Sequence, residues 1–141
     1  MQTSSDEIRR LTSTIVVAED DAVLRSLYAG ALVRAGHIVW EAADGAMALN
    51  LVRLHSPELL LLDIWMPVMN GFEVLEHLGR SAQGVGVKVV VLSQQEDSDT
   101  RLEGFALGID DYWTKDFSLD VLCERVQDLL RPAETQPWRG E

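Results

Sequence analysis

Leu59-Leu60-Leu61-Leu62-Asp63 is an unbroken apolar run that ends in a carboxylate, and Ile64-Trp65-Met66-Pro67 and the turn pair Asn70-Gly71 follow it. A strand with apolar residues on both faces is typical of a parallel sheet covered by helices on each side. In such sheets, ligands bind just outside the carboxyl ends of the strands. Taken alone, Asp63 could equally be a helix cap or a loop aspartate bonded to nearby backbone.

Strand-like and helix-like segments alternate along the chain. The predicted strands are 14–18, 37–41, 59–62, 87–92 and 111–114, and the predicted helices are 22–35, 44–54, 71–79, 97–107 and 118–130. Five strands alternating with five helices predict an α/β fold, in which a doubly wound parallel sheet carries helices on both faces. We expect one domain over residues 13–131, an N-terminal tail over 1–12, and a C-terminal tail or the start of a linker over 132–141.

Two helices show a clear apolar periodicity. In the first, Gly36 marks the end, and the residues at helical spacing are Val23, Leu24, Leu27, Tyr28, Ala31 and Leu32. In the last, Ser118 is the expected cap, and the residues expected to face inward are Leu119, Leu122, Val126, Leu129 and Leu130.

Composition excludes several classes of function. The 141 residues are 47% apolar with a net charge of -11, so we expect a folded domain that does not bind nucleic acid directly. Cys123 is the only cysteine, which excludes an internal disulfide and favours a reducing compartment. No run approaches the roughly 18 apolar residues of a membrane span. We therefore expect a cytoplasmic protein that makes no membrane contact.

A second strand end also carries acids, because Glu19-Asp20-Asp21 follows the predicted strand 14–18. If this strand lies beside the one that ends at Asp63, the carboxylates meet and cannot all stay ionised without a countercharge. A hard divalent cation resolves this conflict, and Mg²⁺ is favoured because it needs only one or two carboxylates together with water and phosphate oxygens. The alternative is that these acids cap the first helix, which we expect of Asp21 in any case.

Two further polar residues close neighbouring strands. Lys115 follows the last strand, and Ser93 follows Val89-Val90-Val91-Leu92. An ammonium at this edge can hold a phosphoryl oxygen, although a lone lysine is usually an exposed surface group. Acids, a hydroxyl and an ammonium are thus all expected at strand carboxyl ends.

These residues together resemble the receiver domain of two-component response regulators, from about Thr14 to Arg131. The segments that carry the resemblance are Ile15-Val16-Val17-Ala18-Glu19-Asp20-Asp21, Leu61-Leu62-Asp63-Ile64-Trp65-Met66-Pro67-Val68-Met69-Asn70-Gly71, Val91-Leu92-Ser93 and Gly108-Ile109-Asp110-Asp111-Tyr112-Trp113-Thr114-Lys115. The resemblance implies a flavodoxin-like fold with strand order 2-1-3-4-5.

The resemblance also implies roles for individual residues. Asp63 would be the phosphoacceptor, and Lys115 and Ser93 would contact the phosphoryl group. Mg²⁺ would be bound by Asp20, Asp63 and the backbone carbonyl of Trp65, with Glu19 assisting through water. Ser93 and Tyr112 would form the switch, in which Tyr112 changes rotamer on activation.

The function implied is phosphoryl acceptance from a histidine kinase or a histidine phosphotransfer protein. Phosphorylation would switch the face made by the fourth helix, fifth strand and fifth helix, and so control a partner protein or a fused output domain. The chain would not be an enzyme, although it would promote its own phosphorylation and dephosphorylation. A homodimer through the same face is also expected, because Arg125 and Asp110-Asp111 resemble charges used in dimers of winged-helix regulators.

Two alternatives stay open. The first is a receiver-like interaction module that is never phosphorylated. The second is a flavodoxin-like or phosphatase enzyme on the same fold, against which stand the absence of a glycine-rich phosphate loop and the presence of Trp65 where aspartate-based phosphatases carry a second Asp.

The chain departs from the family pattern at two places. Asp116 follows Lys115 where the family usually has a proline after a cis bond, so either the bond is trans or the loop is strained. Gln94 stands where a small residue is usual. We hypothesise that Trp65 and Gln94 restrict the approach of water, so that phospho-Asp63 decays slowly.

The remaining conspicuous side chains have simpler interpretations. His37, His55 and His77 share no metal-ligand spacing and are expected at the surface, and Trp40 is expected to pack. For Trp113 two interpretations remain, exposure on the output face or packing.

Overall fold

The computed structural model describes residues 12–131, without the side chains of residues 80–85. Its elements are β1 (Thr14–Ala18), α1 (Ala22–Arg34), β2 (Ile38–Ala42), α2 (Gly45–His55), β3 (Leu59–Asp63), α3 (Gly71–Val85), β4 (Lys88–Ser93), α4 (Ser98–Ala106), β5 (Asp111–Thr114) and α5 (Leu119–Leu130). The strands form one parallel sheet in the order β2-β1-β3-β4-β5. The predicted doubly wound α/β fold and its strand order are confirmed, whereas the predicted tails, Thr12 apart, lie outside the described residues.

Helix and strand ends differ from the predicted ones by one residue at several places. Asp44 and Asp97 are N-caps rather than first helical residues, because each side chain accepts a hydrogen bond from a backbone N–H of the first turn. Ser118 caps α5 as predicted. Asp21 caps α1 as predicted. The strands β3 and β4 each extend one residue further than predicted, so that Asp63 and Ser93 are the last residues of their strands.

Two glycines have contrasting effects on helix ends. Gly36, with φ of 102°, follows the end of α1 as predicted. The predicted end of α3 at Gly79 coincides with a break in the helix, and a second helical piece continues from there to Val85. Gly79 has φ of 48°, a conformation that is open to glycine without a Cβ penalty, and helical backbone resumes after it.

The sheet separates two apolar layers, because alternate side chains of each buried strand point to opposite faces. One face buries Ile15, Val17, Leu59 and Leu61 together with Leu32 of α1 and Leu122 of α5. The opposite face buries Val16, Leu60, Leu62 and Val91 with Leu49 of α2 and Leu75 of α3. Every residue of β3 is buried, as a central strand covered on both faces requires.

The helix periodicities were partly right. In α5, Leu122 and Val126 are buried and Leu119, Leu129 and Leu130 pack against the same core. In α1, Tyr28, Ala31 and Leu32 are buried, but Val23 and Leu27 are exposed. The apolar stripe of α1 is therefore wider than the surface that the sheet and α5 cover.

Trp113 and His37 are both buried, although exposure was one expectation for Trp113 and the only one for His37. Trp113 is only 7% exposed and packs in the core beneath α5, so it is not a surface anchor. The prediction that His37 lies at the surface was wrong, because it is 8% exposed and its Nδ1 accepts a hydrogen bond from the Ser13 N–H at 3.0 Å. Trp40 packs as predicted and stacks on His55, with ring centroids 3.9 Å apart.

In the part of the chain that the structure describes, no helix has both the length and the apolar character needed to cross a bilayer.

Candidate functional site

The polar residues at the strand ends meet at one edge of the sheet. Strand register places Ala18 beside Leu62, Asp63 beside Leu92, and Ser93 beside Thr114. Glu19 and Lys115 directly follow the ends of β1 and β5. The carboxyl ends of four parallel strands therefore deliver acids, a hydroxyl and an ammonium to a common cavity of about 510 Å³.

Three carboxylates form a cluster in this cavity. One oxygen from each of Glu19, Asp20 and Asp63 lies within 4.8 Å of the others. Glu19 and Asp63 are buried, and Asp63 is only 5% exposed, whereas Asp20 is exposed. Close carboxylates that share a low-dielectric site repel one another unless a cation or a proton intervenes. The donor set, oxygen only and with an open side toward solvent, fits a hard divalent cation.

Lys115 supplies the countercharge from the protein itself. Its Nζ lies 2.7 Å from Glu19 Oε1 and 3.4 Å from Asp63 Oδ1. One ammonium thus pairs with two of the three carboxylates, so the cluster carries excess negative charge when all three are ionised. Lys115 thus lies beside Asp63 at the edge of the sheet where the sequence placed it.

The pKa of Asp63 is raised to about 7, firstly by burial and secondly by the negative charge of Glu19. The charge of the Lys115 ammonium lowers the pKa of Asp63, and a hydrogen bond with Asp20 raises it. The Trp65 N–H donates to Asp63 Oδ1 at 3.3 Å and favours the ionised form. A carboxyl with a pKa near neutrality is typical of a functional site.

The pKa of Lys115 is raised by its acidic partners. Burial lowers this pKa, but the hydrogen bond to Glu19 and the charges of Asp63 and Glu19 outweigh that effect. The ammonium form is therefore held throughout the neutral pH range.

Close backbone contacts fix the position of Asp63. A Cβ on Gly71 would lie 2.9 Å from the Asp63 carbonyl oxygen, so only glycine permits α3 to begin this close to the end of β3. The Gly71 N–H also donates to the Ile64 carbonyl at 2.8 Å and closes the loop between them. The turn pair Asn70-Gly71 therefore serves to hold the carboxylate in place.

Ser93 and Tyr112 share a hydrogen-bond acceptor. The Ser93 hydroxyl donates to the Gln95 carbonyl at 2.9 Å, and the Tyr112 hydroxyl donates to the same oxygen at 3.0 Å. Tyr112 is buried, and the guanidinium of Arg101 lies 5.6 Å from the centroid of its ring. This arrangement joins the site to the beginning of β5 through one backbone carbonyl.

The Lys115–Asp116 peptide bond, at which the family usually has a cis proline, is trans in this structure. No cis peptide bond occurs among residues 12–131, so the Lys115–Asp116 bond is trans. The Lys115 N–H donates to the Ser93 carbonyl at 2.7 Å, and Thr114 Oγ1 donates to Asp116 Oδ1 at 2.8 Å. Of the two alternatives left open by the sequence, the trans loop is the one observed, and Lys115 still reaches the carboxylates.

Sequence reasoning missed two contributors. Arg25 donates from Nη1 to the Glu19 carbonyl at 2.8 Å and pairs with Glu41 at 3.5 Å, so it holds the acidic loop against the end of β2. Arg25 stands four residues after Asp21, the cap of α1, and this spacing could have predicted a contact with the acidic loop. The role of Gln95 depends on its backbone carbonyl, for which a side-chain pattern gives no signal.

Trp65 and Gln94 both line the cavity, as the sequence predicted. Trp65 is 63% exposed and meets Phe72 edge to face, with centroids 6.2 Å apart. These two side chains thus line the cavity that Asp63 also lines.

Comparison with known proteins places this architecture among signalling domains. The sequence pattern described as "Response regulator receiver domain" matches residues 15–127. The alkaline phosphatase synthesis transcriptional regulatory protein SphR of Synechococcus elongatus is 40% identical over 134 residues, which cover 89% of this chain and 51% of that protein. The phosphate regulon transcriptional regulatory protein PhoB of Pseudomonas aeruginosa is 33% identical over 118 residues, covering 84% of this chain and 52% of that protein.

Solved structures show the same similarity. The Francisella response regulator 1452 receiver domain has a TM-score of 0.74 and 30% identity, over 84% of this chain and 96% of that one. The chemotaxis protein CheY4 of Vibrio cholerae has a TM-score of 0.76 and 26% identity, over 82% of this chain and 97% of that one. The chain spans about half the length of the curated relatives that it matches.

Proposed function

This chain belongs to the response regulator receiver domain family of two-component signal transduction, and on that premise we propose that Asp63 accepts a phosphoryl group from a histidine kinase or a histidine phosphotransfer protein. The observation that carries the proposal is the position of the Lys115 ammonium, 2.7 Å from Glu19 and 3.4 Å from Asp63. This cation stands beside the carboxylate that would become the acyl phosphate. Receiver domains signal rather than turn over a metabolite, so the chemistry serves regulation.

In the transfer, an Asp63 carboxylate oxygen forms a bond to phosphorus while the P–N bond to the donor histidine breaks. The bonding electrons return to the imidazole nitrogen, and because the other ring nitrogen of the donor carries a proton, the histidine leaves as a neutral imidazole. The product is an acyl phosphate on Asp63. Phosphoryl transfer passes through a loose transition state whose charge is spread over the phosphoryl oxygens. Position and countercharge therefore matter more than the strength of the nucleophile. Lys115 would position the phosphoryl oxygens and supply their countercharge.

We propose that Mg²⁺ is the cofactor, held by Asp20, Asp63 and the Trp65 backbone carbonyl, with Glu19 acting through water. The oxygen-only donor set and its excess negative charge support this choice. When bound, Mg²⁺ would neutralise the acids and the phosphoryl oxygens. The residues of the chain do the rest: Asp63 attacks, Lys115 orients the phosphoryl group, and the walls of the cavity exclude water.

The switch that we propose starts at Ser93. Its hydroxyl carries one proton and can donate it to one acceptor, so an oxygen of phospho-Asp63 competes with the Gln95 carbonyl. If the phosphoryl group wins, that carbonyl is left to Tyr112 alone, and the loop after β4 moves toward the site. The face made by α4, β5 and α5 would change with it, because a local charge biases two packings of one element.

We propose that this face controls a downstream partner or an output domain. Two curated relatives are transcriptional regulatory proteins about twice as long as the matched region, which supports an output half in the whole protein. A homodimer through α4, β5 and α5 is part of the same proposal. The net charge of -11 and the single cysteine favour a cytoplasmic module that leaves contact with nucleic acid to another domain.

The test is phosphorylation by acetyl phosphate with Mg²⁺, followed by intact mass. The wild-type chain should gain one phosphoryl group, Asp63→Asn should gain none, and a chelator should abolish the gain. Asp97→Asn is the matched control, because Asp97 lines the same cavity and asparagine also caps a helix.

Beryllofluoride binding to the wild-type chain, but not to Asp63→Asn, would give the same answer without hydrolysis. If the wild-type chain takes up neither group, the phosphoacceptor proposal is wrong, and an interaction module that is not phosphorylated becomes the better account. Equal phosphate gain in Asp63→Asn would show that a different residue is the acceptor.

A further inference from the structure

The loop between β1 and α1 carries two of the three clustered acids, Glu19 and Asp20, and hydrogen bonds hold its backbone at three points. The Glu19 N–H donates to the Ala42 carbonyl at 3.0 Å, at the end of β2. The Asp21 N–H donates to Glu19 Oε2 at 3.1 Å. The Glu19 carbonyl accepts a hydrogen bond from Arg25 Nη1 at 2.8 Å. Of these three contacts, only the last comes from a cationic side chain.

The contact with Arg25 satisfies a carbonyl in a buried residue. Glu19 is only 1% exposed, and it lies one residue beyond the end of β1. A buried carbonyl without a donor is costly, and a charged donor forms one of the stronger hydrogen bonds in proteins. The bond therefore fixes the peptide that joins Glu19 to Asp20.

Glu41 holds another edge of the same guanidinium. Its Oε1 lies 3.5 Å from Arg25 Nε, and the Arg25 side chain is only 20% exposed. Because the guanidinium is a rigid planar fork, simultaneous contact with Glu41 and with the Glu19 carbonyl defines both the place and the plane of the group. Arg25 thus ties the acidic loop to the edge strand β2.

The charge of Arg25 and its position have opposite effects on a cation in the neighbouring acid cluster. A guanidinium repels Mg²⁺, and its pairing with Glu41 only reduces this repulsion. Loss of the charge alone would therefore strengthen Mg²⁺ binding or leave it unchanged. Mg²⁺ demands near-ideal octahedral geometry, so displacement of the acids would weaken binding. The direction of the change in affinity separates the two effects.

We propose that Arg25 is a positioning residue for the Mg²⁺ site, which holds the Glu19–Asp20 peptide so that both carboxylates meet Asp63 at one point. This inference rests on the proposed function, because that proposal supplies the Mg²⁺. One oxygen from each of the three acids lies within 4.8 Å of the others, and two of the three acids belong to the loop that Arg25 holds. Residues that orient metal ligands without touching the metal typically change affinity 10–100-fold when they are replaced.

The test is a titration of the full chain with Mg²⁺ alone, followed by intrinsic fluorescence, to which Trp65 at the cavity contributes, and by calorimetry. Arg25→Met removes the hydrogen bond and the charge but keeps an unbranched stem. We expect its Mg²⁺ affinity to fall roughly tenfold or more. Arg53→Met is the matched control, because it removes an equal charge from an exposed position in the last turn of α2, and its affinity should stay within twofold of wild type.

A second variant and a second measurement guard against a simple loss of stability. Arg25→Lys keeps the charge but lacks the fork, so its Mg²⁺ affinity should fall threefold or more. It becomes the test variant if far-UV circular dichroism shows that Arg25→Met does not fold. With acetyl phosphate, the Mg²⁺ concentration that gives half the maximal rate should rise about tenfold in Arg25→Met, whereas the rate at saturating Mg²⁺ should stay within twofold.

Each contrary result has a distinct meaning. If the wild-type chain binds no Mg²⁺, the proposed cofactor is wrong and the inference fails with it. If the wild-type chain binds Mg²⁺ but takes up no phosphoryl group, the phosphoacceptor proposal fails, and fluorescence and calorimetry still decide the role of Arg25. Where wild type binds Mg²⁺, an affinity of both Arg25 variants that is tighter than wild type or within twofold of it overturns the inference alone. An equal loss in Arg53→Met does so too, as does a lower rate at saturating Mg²⁺ with an unchanged half-saturating concentration.

Discussion

Lys115 lies closer to Glu19 than to Asp63: its Nζ is 2.7 Å from Glu19 Oε1 and 3.4 Å from Asp63 Oδ1. The ammonium thus divides its charge between the proposed nucleophile and an acid from a different strand end. Glu19 acts on both neighbours at once, because its charge raises the pKa of Asp63 and helps to raise the pKa of Lys115. Glu19 therefore influences the charge states of both Asp63 and Lys115.

Glu19→Gln should weaken Mg²⁺ binding about tenfold, because residues that support a metal site through water typically cost 10–100-fold in affinity when changed. The measurement is a Mg²⁺ titration followed by the fluorescence of Trp65, which lines the cavity. Glu103→Gln, on the exposed side of α4, is the control and should leave affinity unchanged. If the Mg²⁺ affinity of Glu19→Gln stays within twofold of wild type, Glu19 pairs with Lys115 and does not support the metal.

Asp63→Asn should stabilise the chain in Mg²⁺-free buffer at pH 8. The folded-state pKa of about 7 exceeds the usual 3.8, so the folded protein binds more protons than the unfolded chain between these values. The contribution of Asp63 to stability is therefore fully present below pH 4, falls as pH rises toward 7, and is absent above it. The isosteric amide removes this loss, and the gain at pH 8 should be roughly 1–3 kcal/mol, since a pKa unit corresponds to about 1.4 kcal/mol and cavity water screens part of it.

Urea unfolding of wild type and Asp63→Asn across pH 4–8 measures this difference. It should grow with pH up to about 7, and Mg²⁺ should reduce it by stabilising only the wild-type chain. A difference that is independent of pH would contradict the raised pKa.

His37 should make stability fall in mild acid. Burial lowers its pKa from 6.5, an effect that the charge of Glu58 only partly opposes, and its Nδ1 must be unprotonated to accept the Ser13 N–H. The unfolded chain takes up a proton first as pH falls through 6.5, so this contribution to stability is complete above 6.5 and is lost below it. His37→Asn, whose Oδ1 can replace the acceptor, should remove about 1 kcal/mol of that loss at pH 5.5.

The comparison is made by urea unfolding at pH 5.5 and 7.5. His77→Asn, at an exposed position of α3, is the control and should keep the wild-type pH dependence. If both variants behave alike, His37 does not titrate as its contacts indicate.

Smaller side chains at the cavity opening should shorten the lifetime of phospho-Asp63. Trp65→Ala and Gln94→Ala should each increase the hydrolysis rate several-fold, because these residues flank the path by which water reaches the phosphorus. The half-life is measured after removal of acetyl phosphate, by release of inorganic phosphate. Glu96→Ala, on the same loop but outside this cavity, should leave it unchanged. Unaltered half-lives in both cavity variants would disprove water exclusion by these side chains.

Much of the site followed from strand ends alone. Parallel strands bring their carboxyl ends together, so the residues at those ends could be assigned to one edge of the sheet. They are Glu19, Asp20, Asp63, Ser93 and Lys115. The burial of His37 and Trp113 could not be predicted in the same way. Neither residue lies in a long periodic segment. The burial of His37 depends on its contact with Ser13, and that of Trp113 on an apolar cluster contributed by several strands and helices.

The amino-acid sequence by itself determined the alternation of buried strands and amphipathic helices, and with it the parallel sheet and the edge where the acids and the lysine collect. Those properties are local, since they depend on residue type, spacing and the end of each element. Only the tertiary structure decided that Lys115 pairs with Glu19 at shorter range than with Asp63, and that Ser93 and Tyr112 share the Gln95 carbonyl as an acceptor. Such relationships depend on distances between atoms of separate segments, which strand register and close packing set to within a few tenths of an ångström.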